Sequence, residues 1–259
     1  MAFTLKKFDT KKELFDYVVQ NEEYILEEKK AEMKKADGFD FVVVTNKSFN
    51  GVTSKEDLLN KDSIDVTAII NTTNIMDSHM DVHIKGLWDK SLSENKRIKH
   101  LQEHVRKFDH IISDKEDLKA YVKNYSWREL GYDADGYTQA LVFESKVKKE
   151  RNPYMHEQYA KGNVDNHSVG MNYVKMLTCI NDEDYPVQKE NWDKYYPEII
   201  NKETAEKSGI FWAVLEAKCI EGSAVVDGSN PITPTINTKE EDLDKNKQYL
   251  GAVKNWLSL

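Results

Sequence analysis

The sequence predicts a strand-dominated α+β protein with a helix towards each end. Three observations carry that expectation. Apolar and polar residues alternate with period two in VDNHSVGMNYVKM at 164–176 and YTQALVFESKV at 137–147, as in half-buried strands, and DVTAIIN at 65–71 is rich in β-branched residues. Long helical periodicity is confined to residues 11–35 and 239–257. The chain as a whole reads as many strands and few helices.

At 259 residues the chain suits one large domain with appended elements. Its expected divisions are an N-terminal helical arm at 1–38, a β domain at 39–237 carrying an inserted region at 178–209, and a C-terminal helix at 238–259. Charged residues make up 32% and the hydrophobic set 39%, which implies a modest core and a heavily solvated surface. A net charge of -8 argues against a nucleic-acid groove, which needs a basic stripe. No apolar run approaches the roughly 20 residues that span a bilayer, and the N-terminus lacks the apolar stretch of a secretory signal. Cys179 and Cys219 have no ligand or pairing spacing, so neither zinc nor a disulfide is expected, and a reducing intracellular setting is the default.

Taken in order, Leu14, Phe15, Val18, Ile25, Leu26 and Met33 line one face of the first helix, with Asp9 or Thr10 as its cap and Asp37-Gly38 as its end. A strand is expected at 39–45, a helical turn at 55–59 and a strand at 65–71. Residues 118–125 and 137–147 read as two strands joined by a turn at Asp133-Ala134-Asp135-Gly136. Asn152-Pro153 starts a short helix and Gly162 ends it, the asymmetry of a side-chain cap, proline in the first turn and glycine after the last. The alternating stretch VDNHSVGMNYVKM at 164–176 is a strand. Residues 179–209 are polar, aromatic and broken by proline, and read as a lid, a docking loop or a surface excursion. Strand character resumes at 210–226, Gly228-Ser229-Asn230-Pro231 turns the chain, and a final helix at 239–257 carries Leu243, Leu250, Val253 and Leu257 on one face.

The stretch at 164–176 places a serine beside a glycine inside a strand. Glycine there marks a bulge or a close approach, and Ser168 could be presented to a cleft as a nucleophile. By itself it reads as a solvent-facing serine. A serine hydroxyl needs a base, and the base needs a third group to hold its tautomer. His104, in HLQEH, is the candidate base; Glu221, an acid amid apolar strand residues, is the candidate third member, since a buried carboxylate asks for a partner. His100 and His110 are fallback bases. His167 competes for the third role, although adjacent strand residues point to opposite faces. A rival chemistry lies in DSHMDVH, where Asp77, His79, Asp81 and His83 alternate. His79, Asp81 and His83 would suit zinc or manganese in a metal-dependent hydrolase if further ligands converge.

Four segments together resemble the prohead (procapsid) maturation proteases of tailed phages, relatives of the herpesvirus assemblins. IMDSHMDVHIKGLWDKSL at 75–92 is similar to the family's early Asp-rich block, and HLQEHVRKFDHIIS at 100–113 to its Leu-x-x-His block. NHSVGMNY at 166–173 resembles the Ser-Ile/Val-Gly block, and LEAKCIEGSAVVDGSNPIT at 215–233 the block Leu-x-Glu-x-Ser with a following Asn-Pro-x-Thr. The resemblance spans about residues 67–236. It implies a mostly antiparallel β-barrel of assemblin type with flanking helices. It also implies a serine endopeptidase with Ser168 as nucleophile, His104 as base and Glu221 as orienting acid, using no metal or cofactor. The implied substrates are scaffolding protein, major capsid protein and the protease itself, inside a procapsid assembled in the host cytoplasm. A homodimer or higher homo-oligomer is implied, with no nucleic-acid or membrane partner. The sequence departs from the pattern at Gly222, which separates Glu221 from Ser223 and opens the register to a slip of one. A barrel of this type that has lost catalysis is the other reading.

Overall fold

A computed structural model describes residues 8–31, 55–95 and 97–236. The strand expected at 39–45, the helix expected at 239–257, Asp37-Gly38 and the domain limits near 38 and 238 lie outside the described residues.

The N-terminal periodicity forms two helices instead of one, α1 (Lys11–Gln20) and α2 (Glu22–Ala31). Thr10 caps α1 by accepting from the Glu13 N–H at 3.2 Å. Asn21 ends it: the Asn21 amide donates to the Tyr17 carbonyl at 2.8 Å, the competition with the backbone that makes asparagine a helix breaker. Phe15, Val18 and Ile25 are buried as the pattern requires. Lys29 is buried too, which no periodicity announces.

The short helix α3 (Lys55–Asn60) leads into β1 (Ser63–Thr72). β1 pairs antiparallel with β6 (Tyr137–Lys148), which pairs antiparallel with β5 (Leu118–Ser126). β9 (Thr235–Ile236) flanks the other side of β1 and completes a four-stranded sheet. The second sheet is built on β8 (Ile210–Val225), with β7 (Asn166–Ile180) antiparallel along one edge. Along the other edge run two short parallel partners, β2 (Asp81–His83) and β3 (Lys99–Gln102), and β4 (Ile111–Asp114) closes that side against β3. Among the described residues the fold is thus α+β with two mostly antiparallel sheets, and their ladders do not join into one closed barrel.

Ile70 and Phe143 from the first sheet and Val169, Met171 and Val214 from the second share one apolar core. The sheets approach closely at Gly222, where a Cβ would lie 2.5 Å from Phe143 Cε2 and 2.8 Å from Ile70 Cγ2. The helix α5 (Pro153–Lys161) follows its sequence signals: Asn152 accepts from the Met155 N–H at 3.0 Å, and Gly162 adopts φ 72°. Residues 179–209 are a correction to the expected lid or loop. They finish β7 and then form α6 (Pro186–Tyr195) and α7 (Lys202–Ser208). Trp192, Tyr195, Ile199 and Ala205 bury a second core against Met76, Val82, Cys179 and Phe211. The aromatic content read as a docking surface is an internal packing face.

Gly222→Ala is expected to overpack the junction of the two sheets, at a cost of about 1–3 kcal/mol. Combining it with Phe143→Leu should recover part of the lost thermal midpoint. Scanning calorimetry of both variants checks this, and a Gly222→Ala midpoint equal to that of the parent would show that the sheets are not in close contact there.

Candidate active site

The β7–β8 ladder brings two of the expected positions, Ser168 and Glu221, onto one face. Ser168 pairs with Ser223 and Gly170 with Glu221. Side chains two apart in a strand share a face, so Ser168 and Gly170 on β7 meet Glu221 and Ser223 on β8 across one surface. Gly222 points the other way, into Phe143 and Ile70. It therefore separates Glu221 from Ser223 in sequence without taking them off the same face. Gly170 has a specific reason to lack a side chain: a Cβ there would stand 1.9 Å from Glu221 Oε1. The carboxylate occupies the space over the glycine.

His104 reaches the same carboxylate from the opposite edge of β8. β3 runs parallel to residues 222–224, with Leu101 opposite Ser223. The chain leaves β3 through two consecutive residues in the left-handed region, Glu103 at φ 50° and His104 at φ 58°. Non-glycine residues held there cost of order 1–3 kcal/mol each and persist only where the surroundings hold them. The Glu103 N–H donates to the Ala224 carbonyl at 2.9 Å and the His104 N–H to Ser223 Oγ at 3.1 Å. His104 Nδ1 then lies 2.6 Å from Glu221 Oε1, while Ser223 Oγ donates to Glu221 Oε2 at 2.6 Å. All three residues are buried. An Nδ1–H given to the carboxylate leaves the lone pair on Nε2, the tautomer a general base requires. Ser168 is buried on this face, and among the described residues its hydroxyl makes no hydrogen bond.

The other histidines have different tasks. His167 Nδ1 lies 2.9 Å from the Thr233 carbonyl, which can only accept, so Nδ1 carries the proton. Its Nε2 then accepts from Tyr159 Oη at 3.0 Å, and Tyr159 Oη in turn accepts from His100 Nε2 at 3.2 Å. His100 Nδ1 is left to accept from Ser145 Oγ at 2.8 Å. This directed chain uses each imidazole in its neutral form. Burial pushes His167 down to about 4 and His100 well below its ordinary value. His167 faces away from Ser168, as strand alternation requires. His110 contacts its neighbour Asp109 at 2.9 Å and does not join Glu221.

The rival metal reading finds no ligand set among the described residues. Asp81 and His83 share a face of β2, but that face is the protein interior. Lys29 of α2 reaches Asp81 Oδ1 at 2.7 Å, and the Tyr173 hydroxyl donates to Oδ2 at 2.7 Å. Asn71 is oriented by Trp88 Nε1, which donates to its Oδ1 at 3.3 Å, so its amide nitrogen donates to His83 Nδ1 at 2.8 Å. The remaining His83 nitrogen faces Tyr173 Oη at 3.4 Å. Among the described residues no three His, Cys, Asp or Glu side chains converge as a ligand set.

Sequence reasoning passed over three contributors. Ser223 is part of the acid–base contact. Asn230 ties the end of β1, accepting from Thr72 Oγ1 and donating to the Thr72 carbonyl, both at 2.8 Å. Thr233 Oγ1 accepts from the His167 N–H at 3.2 Å, beside Ser168. Their signal was present in the segment at 215–233, where Glu-x-Ser and Asn-Pro-x-Thr stand at fixed offsets. Beside Glu221 opens a cavity of about 240 Å³, lined by Arg97, Lys99, Arg106, Lys107 and the 90% exposed Phe108. No family model, curated protein or solved structure matches the chain.

The buried histidines give the fold an acid limit. Burial holds His83 and His167 at about 4 and His100 well below its ordinary value, whereas in the unfolded chain each takes up a proton near pH 6.5. Asp77 opposes them: burial and the neighbouring Asp81 charge raise it to about 7, so it gains stability as pH falls. With three groups against one, stability present above about pH 6.5 is lost towards pH 4. Thermal midpoints measured across this window are expected to fall on acidification, and a rising midpoint would contradict the neutral assignment of the three imidazoles.

Proposed function

We propose that this protein is a serine endopeptidase of the prohead-protease type, which processes scaffolding and capsid-protein extensions, and itself, inside a phage procapsid in the host cytoplasm. The observation that carries the reading is the buried His104–Glu221 contact of 2.6 Å on the face that also bears Ser168. In this reading His104 Nε2 takes the Ser168 proton as the hydroxyl oxygen attacks the scissile carbonyl. Glu221 holds the ring and stabilises the imidazolium. His104 then returns the proton to the leaving amine, and water attacks the resulting acyl ester with the same base. The two sheets are read as walls of an assemblin-like barrel flanked by helices, and the active form as a homo-oligomer. No metal or cofactor takes part.

Two further elements support the reading. The His167 N–H turns away from β8 to Thr233. In an antiparallel ladder, N–H groups two residues apart point to the same edge, so the Val169 N–H does likewise, directly after the nucleophile. It is the proposed oxyanion donor. The cavity beside Glu221 offers Arg97, Lys99, Arg106 and Lys107, and of these Lys99 is already paired with Asp114 at 3.1 Å. Such a groove suits an acidic side chain near the scissile bond.

Co-expression with scaffolding protein and major capsid protein tests the mechanism. Ser168→Ala and His104→Ala are expected to abolish processing, and Glu221→Gln to slow it by about 10⁴-fold. Normal processing by Ser168→Ala would sink the serine mechanism and favour a non-catalytic capsid-associated protein of the same fold. The groove is tested separately with the double substitution Arg97→Glu and Arg106→Glu. Its kcat/KM should fall at least about tenfold for peptides with Asp or Glu near the cleaved bond, with little change for neutral peptides. Equal losses on both peptide classes would count against an acidic subsite.

A further inference from the structure

We infer that Ser223 is the positioning residue of this site, its single hydroxyl fixing His104 and Glu221 relative to one another. The inference rests on the reading of Ser168, His104 and Glu221 as a triad and extends it to a fourth side chain.

Ser223 stands where the site is most enclosed. It is 0% exposed, and its strand is flanked by Ser168 of β7 on one side and Leu101 of β3 on the other. Its oxygen does two things at once. It gives its only proton to Glu221 Oε2 at 2.6 Å and receives the His104 N–H at 3.1 Å. A hydroxyl has one proton to donate, so Ser223 is committed to the carboxylate and is not a second nucleophile.

The commitment matters because one hydroxyl touches both partners. Glu221 Oε1 faces His104 Nδ1, and the carboxylate lies over the bare Cα of Gly170, where no side chain confines it. The donor on Oε2 stops the carboxylate from rotating into that space. His104 is delivered by two residues in the left-handed region. The first is held by the Ala224 carbonyl and the second by Ser223. Removing the hydroxyl therefore releases the acid and the base together and leaves a buried N–H and a buried carboxylate oxygen each short of a partner. The imidazole then loses the orientation on which proton transfer depends.

The test uses the purified full chain with a scaffold-derived peptide substrate. Ser223→Ala is expected to lower kcat by about 100-fold, the scale of a small misplacement of a reacting group, with KM changed less than about twofold because Ser223 does not face the groove cations. Ser223→Thr, which keeps the hydroxyl, should restore most of kcat. Proton NMR supplies a readout independent of turnover. The His104 Nδ1–H should be the most downfield ring resonance, disappear in Glu221→Gln, and move upfield or broaden in Ser223→Ala. If the alanine variant does not fold, Ser223→Cys carries the test, since a thiol is a similar shape but a weak donor; its kcat should be clearly reduced. Wild-type kcat with an unmoved resonance, in either variant, overturns the proposal, as does a change confined to the thermal midpoint. Full activity of Ser168→Ala would instead overturn the triad reading, and the resonance would still decide whether Ser223 holds His104 against Glu221.

Discussion

A buried carboxylate is the constraint on which the rest of this structure turns. Glu221 sits towards the C-terminal end of β8 in a five-stranded sheet, away from water. An ionised group in such a place is tolerated only with close donors. It receives them from the His104 ring, just past β3, and from the Ser223 hydroxyl two residues along its own strand. Gly170 supplies the room by having no side chain, and the strained step through Glu103 and His104 supplies the base. Each of these local irregularities costs stability when considered alone; together they describe one accommodated charge.

The same logic organises the surrounding interior. Polar groups are buried throughout, and most answer one another. Lys29 crosses from α2 to Asp81 and lies 3.9 Å over the Trp212 ring, so the N-terminal helices are joined to β2 and β8 by a buried ion pair as well as by Phe15, Val18 and Ile25. Breaking such a pair leaves an uncompensated charge, a larger loss than the pair is worth as a net gain. On the far face of β7, the Ser145–His100–Tyr159–His167–Thr233 chain satisfies two imidazoles without charging either. Two sets of histidines thus flank one strand. One set is neutral and structural, and the other is a single ring set against an acid.

The strands and caps were legible in the sequence because their causes are local. Short β-branched, apolar segments bounded by turn residues marked β1, β5, β6, β7 and β8, although β1, β7 and most of β8 are buried on both faces, so the half-buried expectation for β7 is corrected. Asn152, Pro153 and Gly162 mark the ends of α5 through backbone geometry that needs no partner. Asn21 shows the limit of such reading. The apolar spacing runs through it, yet its side chain closes α1 on the Tyr17 carbonyl. Residues 179–209 show a second limit, since polar and aromatic composition cannot say whether Trp192 faces water or Phe211.

By itself the sequence determined where the main strands lie, the helix boundaries with strong caps, and the order in which Asp81, His104, Ser168 and Glu221 follow one another. Those properties are carried by residue type and spacing along the chain. Only the tertiary structure decided which of these residues meet. Asp81 and His83 alternate as well as any ligand pair, but Lys29, some fifty residues earlier, reaches Asp81, and the Asn71 amide takes the Nδ1 lone pair of His83. His104 and Glu221 are far apart in sequence and meet because β3 registers on β8, while β7 sets Ser168 opposite Ser223 on the same face. Register between distant strands is set by the packed core and by close approaches such as Gly222 against Phe143, and no local pattern encodes it.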